Sequence, residues 1–316
     1  MDRARFDAAL DRALPPGAVR RGVPLAPLTT FRVGGPADWL VEIRTMEELQ
    51  AVLAAAAAGD VPVHVLGGGS NVVVSDAGVP GAVLRLMLTF ISQSSPDAVR
   101  AEAGVTINGL VRWTIGRGLA GLEEWAGTPG TVGGAIFGNA HFGGRNIGDL
   151  VTQVLLVTRA GRLVPASQPE MAFAYDTSRL RRTDEILVWA ELRVDGGDPE
   201  ELRRRARASL AYRKRTQPLA MPSAGCIFQN PDPAVDRVPP DSPWSAGALV
   251  DRAGLKARRI GGATISPAHA NFIVSDGTAT AADIRRLIED ARRAVRDQFG
   301  VELRDEVVFL GDFADG

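Results

Sequence analysis

An α+β chain of two domains is the architecture this sequence predicts, and three observations carry it. First, Thr45 and Glu48 form a capping box before an alanine-rich helix that stops at Gly59, and the run VPVHVL (residues 61–66) behind it reads as a strand, so the chain enters through a β-α-β unit. Second, short apolar runs broken by turn residues fill 83–105 and 151–194, the pattern of a strand-rich lobe. Third, apolar periodicity stops at DGGDP (residues 195–199), where a charged helix over 200–212 begins. The expected division is a first domain over 1–198, with lobes of about 1–80 and 81–198, and a smaller α/β domain over 199–316.

Between the two strand-rich stretches, residues 107–118 have the spacing of a helix. The clearest element is the last helix. Thr280 is placed to cap it, Asp283 sits at its third position, and Ile284, Leu287, Ile288, Ala291, Val295 and Phe299 recur at helical spacing before Gly300, a stripe that faces a core. Residues 307–310 then read as a closing strand with Glu306 at its entrance, and residues 231–243, with five prolines, as a flexible loop.

Composition excludes several classes. A net charge of −1 leaves no electrostatic footprint for nucleic acid. One cysteine excludes an internal disulfide, the start MDRAR lacks a signal peptide's apolar run, and the apolar stretch around 52–58 is far too short to span a bilayer. The three histidines are not spaced as metal ligands. A monomeric cytoplasmic protein with no metal, nucleic-acid or membrane partner is the expectation. Only Lys214 and Lys256 of the 36 basic residues are lysine, so anion contacts fall to arginine, whose planar fork suits carboxylate and phosphate.

Function enters at two glycine-rich loops. GLEEWAGTPGTVGG (residues 121–134) has glycine at 121, 127, 130, 133 and 134, and GGGSN (residues 67–71) follows the first β-like run. Glycine in such density is unfavourable unless the backbone must approach something closely, and a turn whose amides point one way binds anions. Neither loop has the strand-glycine-helix order of a dinucleotide fingerprint, and GGGSN runs into Val72, Val73 and Val74, a strand. Loop amides rather than a helix dipole are therefore expected to hold a diphosphate.

These loops, with TTF and GG at 29–35, SAGCIFQNP (residues 223–231), SAG (245–247), GLK (254–256), RIGG (259–262), HANF (269–272) and LRDEV (303–307), resemble the UDP-N-acetylenolpyruvoylglucosamine reductases over nearly the whole chain. The resemblance implies a two-lobed FAD-binding domain of the PCMH or vanillyl-alcohol-oxidase type followed by a substrate-binding domain. It implies FAD held without a covalent tether, NADPH as co-substrate and a UDP-sugar as acceptor. Cofactor contacts are expected from Gly67, Gly68, Gly69, Ser70, Asn71, Gly127, Thr128, Pro129, Gly133, Gly134, Ala135, Asn139 and Arg213. Substrate contacts are expected from Tyr175, Ser178, Gln217, Ser223, Asn230, Arg259, His269 and Asn271.

Cys226 aligns with the family's proton donor; alone it would read as a small buried hydrophobe, but a largely protonated thiol can serve as an acid. Glu306 matches the family's C-terminal glutamate beside the intermediate, although by itself it reads as a solvated charge at a strand end. Arg213, in RKRTQP, could hold phosphate or carboxylate or lie on a helix surface, and His269 is structural or pocket-lining. One departure stands out: the family's Tyr-Arg-x-Ser string reads Tyr175-Asp176-Thr177-Ser178 here, and the expectation is that Arg179 swings in to replace the missing charge. NAHFGG (residues 139–144) is also one residue tighter than the usual form. Two other readings stay open: a flavin oxidase of the same fold acting on an alcohol or sugar, and a flavin-binding protein without catalysis.

Overall fold

The computed structural model of the chain describes residues 1–242 and 244–313. The chain divides into two compact units that are not consecutive in sequence: 1–22, 38–68 and 81–212 form one, and 23–37, 69–80 and 213 onwards form the other.

The first unit opens with α1 (Arg3–Ala13), which the sequence reading passed over, capped by Asp2. In α2 (Met46–Gly59) the expected capping box is present. The left-handed residue that ends α2 is Asp60 (φ 50°), not Gly59. Gly59 instead lets the two helices touch: its carbonyl accepts from the Asp2 amide at 2.7 Å, and a Cβ there would lie 3.2 Å from the Asp2 carbonyl oxygen. Leu49, Val52, Leu53 and Ala56 of α2 share one buried cluster with Phe6, Leu10, Trp39, Val41 and Leu84. The strands there form a four-stranded sheet in the order Val19–Pro24, Pro36–Ile43, Val79–Leu86, Val63–Val65.

A second sheet of this unit is antiparallel throughout, in the order Leu163–Ser167, Val151–Val157, Ile186–Arg193, Ala98–Glu102, Ile91–Ser95. This is the expected strand-rich lobe. Its core joins Ala190 and Leu192 to Leu110 of α3 (Ile107–Ile115) and Ile136 of α4 (Val132–Phe137). Residue types alone do not announce α4, because two of its six residues are glycine.

The boundary falls later than 198. The charged helix α5 (Pro199–Thr216) runs one turn past Tyr212, and its earlier turns are fastened to the glycine-rich segment. Ser209 Oγ donates to the Glu124 carbonyl at 2.6 Å, and Arg205 pairs at 3.4 Å with Glu123, whose carboxylate also accepts from the Gly121 amide at 2.7 Å. α5 therefore belongs to the first unit as far as Tyr212.

In the second unit, α6 (Ala246–Arg252), a three-stranded antiparallel sheet (Arg259–Ile260, Ala263–Ile265, Ile273–Ser275) and α7 (Ala281–Phe299) enclose one core. The capping box at Thr280 and Asp283 and the left-handed Gly300 (φ 68°) are as read, and Ile284, Leu287, Ile288, Ala291 and Val295 are buried. Asp76 adds two bonds to the N-terminus of α7, accepting from the Ala281 and Ala282 amides at 2.9 and 3.0 Å. The closing strand Val308–Leu310 lies parallel to Val72–Val74, which draws residues 69–80 into this unit. The proline-rich loop is anchored where flexibility was expected: Arg304 donates to both carboxylate oxygens of Asp236, at 3.2 and 2.7 Å. Pro243, counted in that loop, lies outside the described residues.

Candidate active site

Two separate constructions account for most of the residues singled out above. In the first unit, the start of GGGSN and the loop before α4 meet backbone to backbone. A Cβ on Gly68 would lie 2.6 Å from the Gly130 Cα, and one on Gly67 would lie 2.7 Å from Thr131 Oγ1. Gly127 (φ 83°) and Gly130 (φ 106°) occupy the left-handed region that glycine alone enters easily. Asn108 pins the same loop, accepting from the Gly127 amide at 2.7 Å and donating to the Thr128 carbonyl at 3.1 Å. Sequence reasoning missed Asn108; its place just inside a helix opened by Thr106 was the available signal. Pro129 is exposed at the tip.

The first amides of α4 are already engaged. Val132 and Gly133 donate to the Val105 and Ala103 carbonyls at 2.8 and 2.9 Å, and Gly134 donates to Thr131 Oγ1 at 3.3 Å. Ala135 is buried in the core. These bonds occupy the amides of the first three residues of α4. Side-chain-free backbone pressed together in this way fits the diphosphate of FAD.

Asn139 has a different employment from the cofactor contact expected. It is buried, with φ 47°, and it donates from Nδ2 to the Ala174 carbonyl at 2.8 Å while accepting from the Gly148 amide at 3.0 Å. Ser178 is likewise buried, donating to the Phe137 carbonyl at 2.9 Å. The bonds from Asn139 to the Ala174 carbonyl and from Ser178 to the Phe137 carbonyl fix the turn that carries Tyr175 and Asp176. Tyr175 is exposed, and its ring lies 5.2 Å from that of His141. Arg179 is not poised to swing: its Nε and Nη2 each donate at 2.7 Å to a different oxygen of Glu185, a bidentate pair that holds the guanidinium in place.

The second construction lies wholly in the second unit and brings the segments that carry Cys226 and Glu306 side by side. The Ile227 carbonyl accepts from the Glu306 amide at 2.8 Å, and Phe228 pairs with Asp305 as an antiparallel bridge, so the two segments run side by side. Two asparagines hold them. Asn271 is buried and clamps both polar groups of Phe228, accepting from its amide at 2.9 Å and donating to its carbonyl at 2.8 Å. Asn71 donates to the Glu306 carbonyl at 3.1 Å, and its own carbonyl accepts from Val308 at 3.0 Å. Asn271 thus positions backbone with both polar atoms of its amide, and Asn71 does so through Nδ2.

Gly69 joins this frame: it has φ 62°, and a Cβ on it would lie 2.1 Å from the Leu28 carbonyl oxygen. Ser70 and Ser223 are half-buried alongside. Gln217 continues the turn after α5, its amide donating to the Arg213 carbonyl at 2.9 Å. Asn230 accepts from the Ala246 amide at 3.0 Å at the start of α6. His269 accepts through Nδ1 from the Asn271 amide at 3.2 Å, so it supports the clamp, and burial holds its pKa below the usual imidazole value. Arg259 lies apart in an exposed pair with Asp276.

Arg213 is the cation of this site. It is 6% exposed, and burial pushes its pKa down to about 10, an effect opposed by attraction to the Cys226 sulfur. The same attraction favours the thiolate that remains when Cys226 gives up a proton.

Residues 217–310 match the C-terminal domain of UDP-N-acetylenolpyruvoylglucosamine reductase, and residues 37–167 match an FAD binding domain. A UDP-N-acetylenolpyruvoylglucosamine reductase of Synechococcus sp. (strain WH7803) is 40% identical over 93% of this chain and 94% of its own. The chain belongs to this reductase family. Another relative so described, from Symbiobacterium thermophilum, is 39% identical over 94% of this chain. The crystal structure of the Thermus caldophilus reductase superposes with a TM-score of 0.77 at 35% identity, covering 92% of this chain and 98% of that one. This family member is therefore an oxidoreductase with an FAD-binding domain. Among the described residues, no helix is long and apolar enough to cross a membrane, and no group of three or more His, Cys, Asp or Glu could hold a metal ion.

Proposed function

We propose that this chain reduces the enolpyruvyl group of UDP-N-acetyl-3-O-(1-carboxyvinyl)-glucosamine at the expense of NADPH, giving UDP-N-acetylmuramate for peptidoglycan synthesis in the cytoplasm. FAD, when bound, supplies the relay: it accepts hydride from NADPH and passes hydride to the vinyl group. The loop amides of residues 67–71 and 130–131 hold its diphosphate. As hydride joins one vinyl carbon, the π electron pair moves onto the carbon bearing the carboxylate, and the Cys226 thiol protonates that carbon. The sulfur is left as thiolate beside Arg213 and regains a proton from solvent, so one NADPH and one proton are consumed in each cycle. Glu306 hydrogen-bonds the developing enolate from the neighbouring segment.

One observation supports this reading above the others: the Ile227 carbonyl and the Glu306 amide are bonded at 2.8 Å, so a proton donor and a carboxyl come from adjacent backbones in a frame built by Asn71 and Asn271. An oxidase has no use for a proton donor placed in this way. The test is anaerobic reduction by NADPH followed by the enolpyruvyl sugar, read at the flavin band of about 450 nm. Rapid reoxidation by the sugar is the expected result. Reduction followed by reoxidation with oxygen alone would favour the oxidase, and a protein that retains no flavin would remove the clamp.

A further inference from the structure

Asp176 is the one acidic residue of the described chain whose placement the reaction above does not use and whose burial demands an explanation. It sits in the left-handed region (φ 52°), its side chain is 5% exposed, and its Oδ2 is buried with no hydrogen-bond partner among the described residues. A carboxylate buried in this way is costly unless a cation answers it. The group that faces it is His141, a cation when protonated, whose Nδ1 lies 3.1 Å from Asp176 Oδ1 and whose side chain is 34% exposed. Burial therefore divides the pair: the negative end is inside and the imidazole is the part presented to solvent. An aspartate bonded to one ring nitrogen fixes the tautomer and stabilises the imidazolium. Tyr175, whose phenol is also exposed, stands with its ring 5.2 Å from the imidazole. The hairpin that carries His141 pairs it with Asn146, and its other ionisable group, Arg145, is answered by Glu124 at 3.7 Å.

We propose that His141, kept charged by Asp176 and flanked by Tyr175, is an anion-recognition residue that binds a carboxylate or phosphate oxygen of a substrate. Arg179, just past this turn, does not fill that role, since it is held by Glu185. The proposal rests on the reduction reading only for the names of its two candidate anions, the enolpyruvyl UDP-sugar and NADPH. Recognition by an imidazolium makes binding depend on pH: it is strong where the ring is protonated and is lost as pH rises through the ring's titration.

The test uses the FAD-loaded enzyme. With three histidines in the chain, the imidazole proton resonances can be assigned by the one that disappears in His141→Gln. The His141 titration midpoint is expected to fall by about one pH unit or more in Asp176→Asn, a substitution that keeps a residue tolerant of positive φ. In anaerobic stopped flow, His141→Gln is expected to weaken one substrate by about 10- to 100-fold and to abolish the pH dependence of its binding. His141→Arg, at an exposed position, should restore binding at every pH. A change confined to the sugar half-reaction identifies the sugar's carboxylate or diphosphate as the ligand, and a change confined to flavin reduction identifies the nicotinamide nucleotide's phosphate. Unchanged affinity and pH profile in both half-reactions for His141→Gln, or an unmoved titration in Asp176→Asn, would overturn the proposal. A wild-type enzyme that the sugar never reoxidises would instead overturn the reduction reading, and the titration and the NADPH half-reaction would still decide the role of His141.

Discussion

The glycine loops of the first unit and the Cys226–Glu306 frame of the second solve the same problem by opposite means. Both bring two stretches of main chain, distant in sequence, into register. The loops do it by subtraction: Gly68 faces Gly130 with no room for a methyl group. The frame does it by addition: Asn271 and Asn71 each bond the main chain of a neighbouring segment. A site that needs bare backbone against a ligand is intolerant of added atoms, whereas a site that needs particular side chains held in place is intolerant of lost hydrogen bonds. The two regions should therefore fail differently when mutated.

The largest contrast is expected from Gly68→Ala. Its Cβ would lie 2.6 Å from Gly130 Cα, a backbone atom that cannot swing aside, and overpacking of this kind costs about 1–3 kcal/mol. Here the strain falls on the loop proposed to hold the flavin, so the flavin-to-protein ratio after purification should drop sharply while the second unit remains folded. Full flavin content would break the comparison. Asn271→Ala should act in reverse, leaving the amide and carbonyl of buried Phe228 unpaired and lowering stability by about 2–4 kcal/mol in urea unfolding. Asn108→Ala sharpens the contrast, since it removes an amide clamp from the glycine region. It should lower FAD affinity by about tenfold with little change in global stability, given about 1 kcal/mol or slightly more for such a bond.

The smallest effect is a slope. Burial holds the pKa of His269 below its usual value of about 6.5, so the unfolded chain binds more protons than the folded one in that range. Stability should therefore fall as pH drops through about 6.5 and level off once the lowered value is passed. His269→Gln should flatten that slope in unfolding midpoints measured between about pH 5 and 8.

Much of this was legible in the sequence because local rules and tertiary structure agree. α2 and α7 announce themselves through capping boxes, and the apolar stripe of α7 is the one it buries. The glycine loops and the closing strand were also readable. What could not be read was pairing at long range: Asn71 reaches the Glu306 carbonyl across 235 positions, and an amide clamp on main chain leaves no pattern in residue types. For the same reason residue type does not reveal that Asn139 and Asn271, expected as ligand contacts, bond main chain with both polar atoms of their amides, or that Asn71 does so through Nδ2. Arg179 was assigned by proximity in sequence, but Glu185, six residues on, captures it. Asp176 looked like a lost charge because its partner, His141, lies on another loop. The boundary at 198 missed the hydrogen bonds by which α5 grips residues 123–124.

The central claim is that Cys226 and Glu306 act as one unit on one substrate. A double-mutant cycle measures this directly: flavin reoxidation by the enolpyruvyl sugar in single turnover for Cys226→Ala, Glu306→Gln and the double variant, with reduction by NADPH as the control. Each single change is expected to slow reoxidation by about 10²–10⁴-fold, and the double variant should be scarcely slower than the worse single one, with flavin reduction untouched. Losses that multiply in the double variant, or a Cys226→Ala enzyme that the sugar reoxidises at the wild-type rate, would contradict the account.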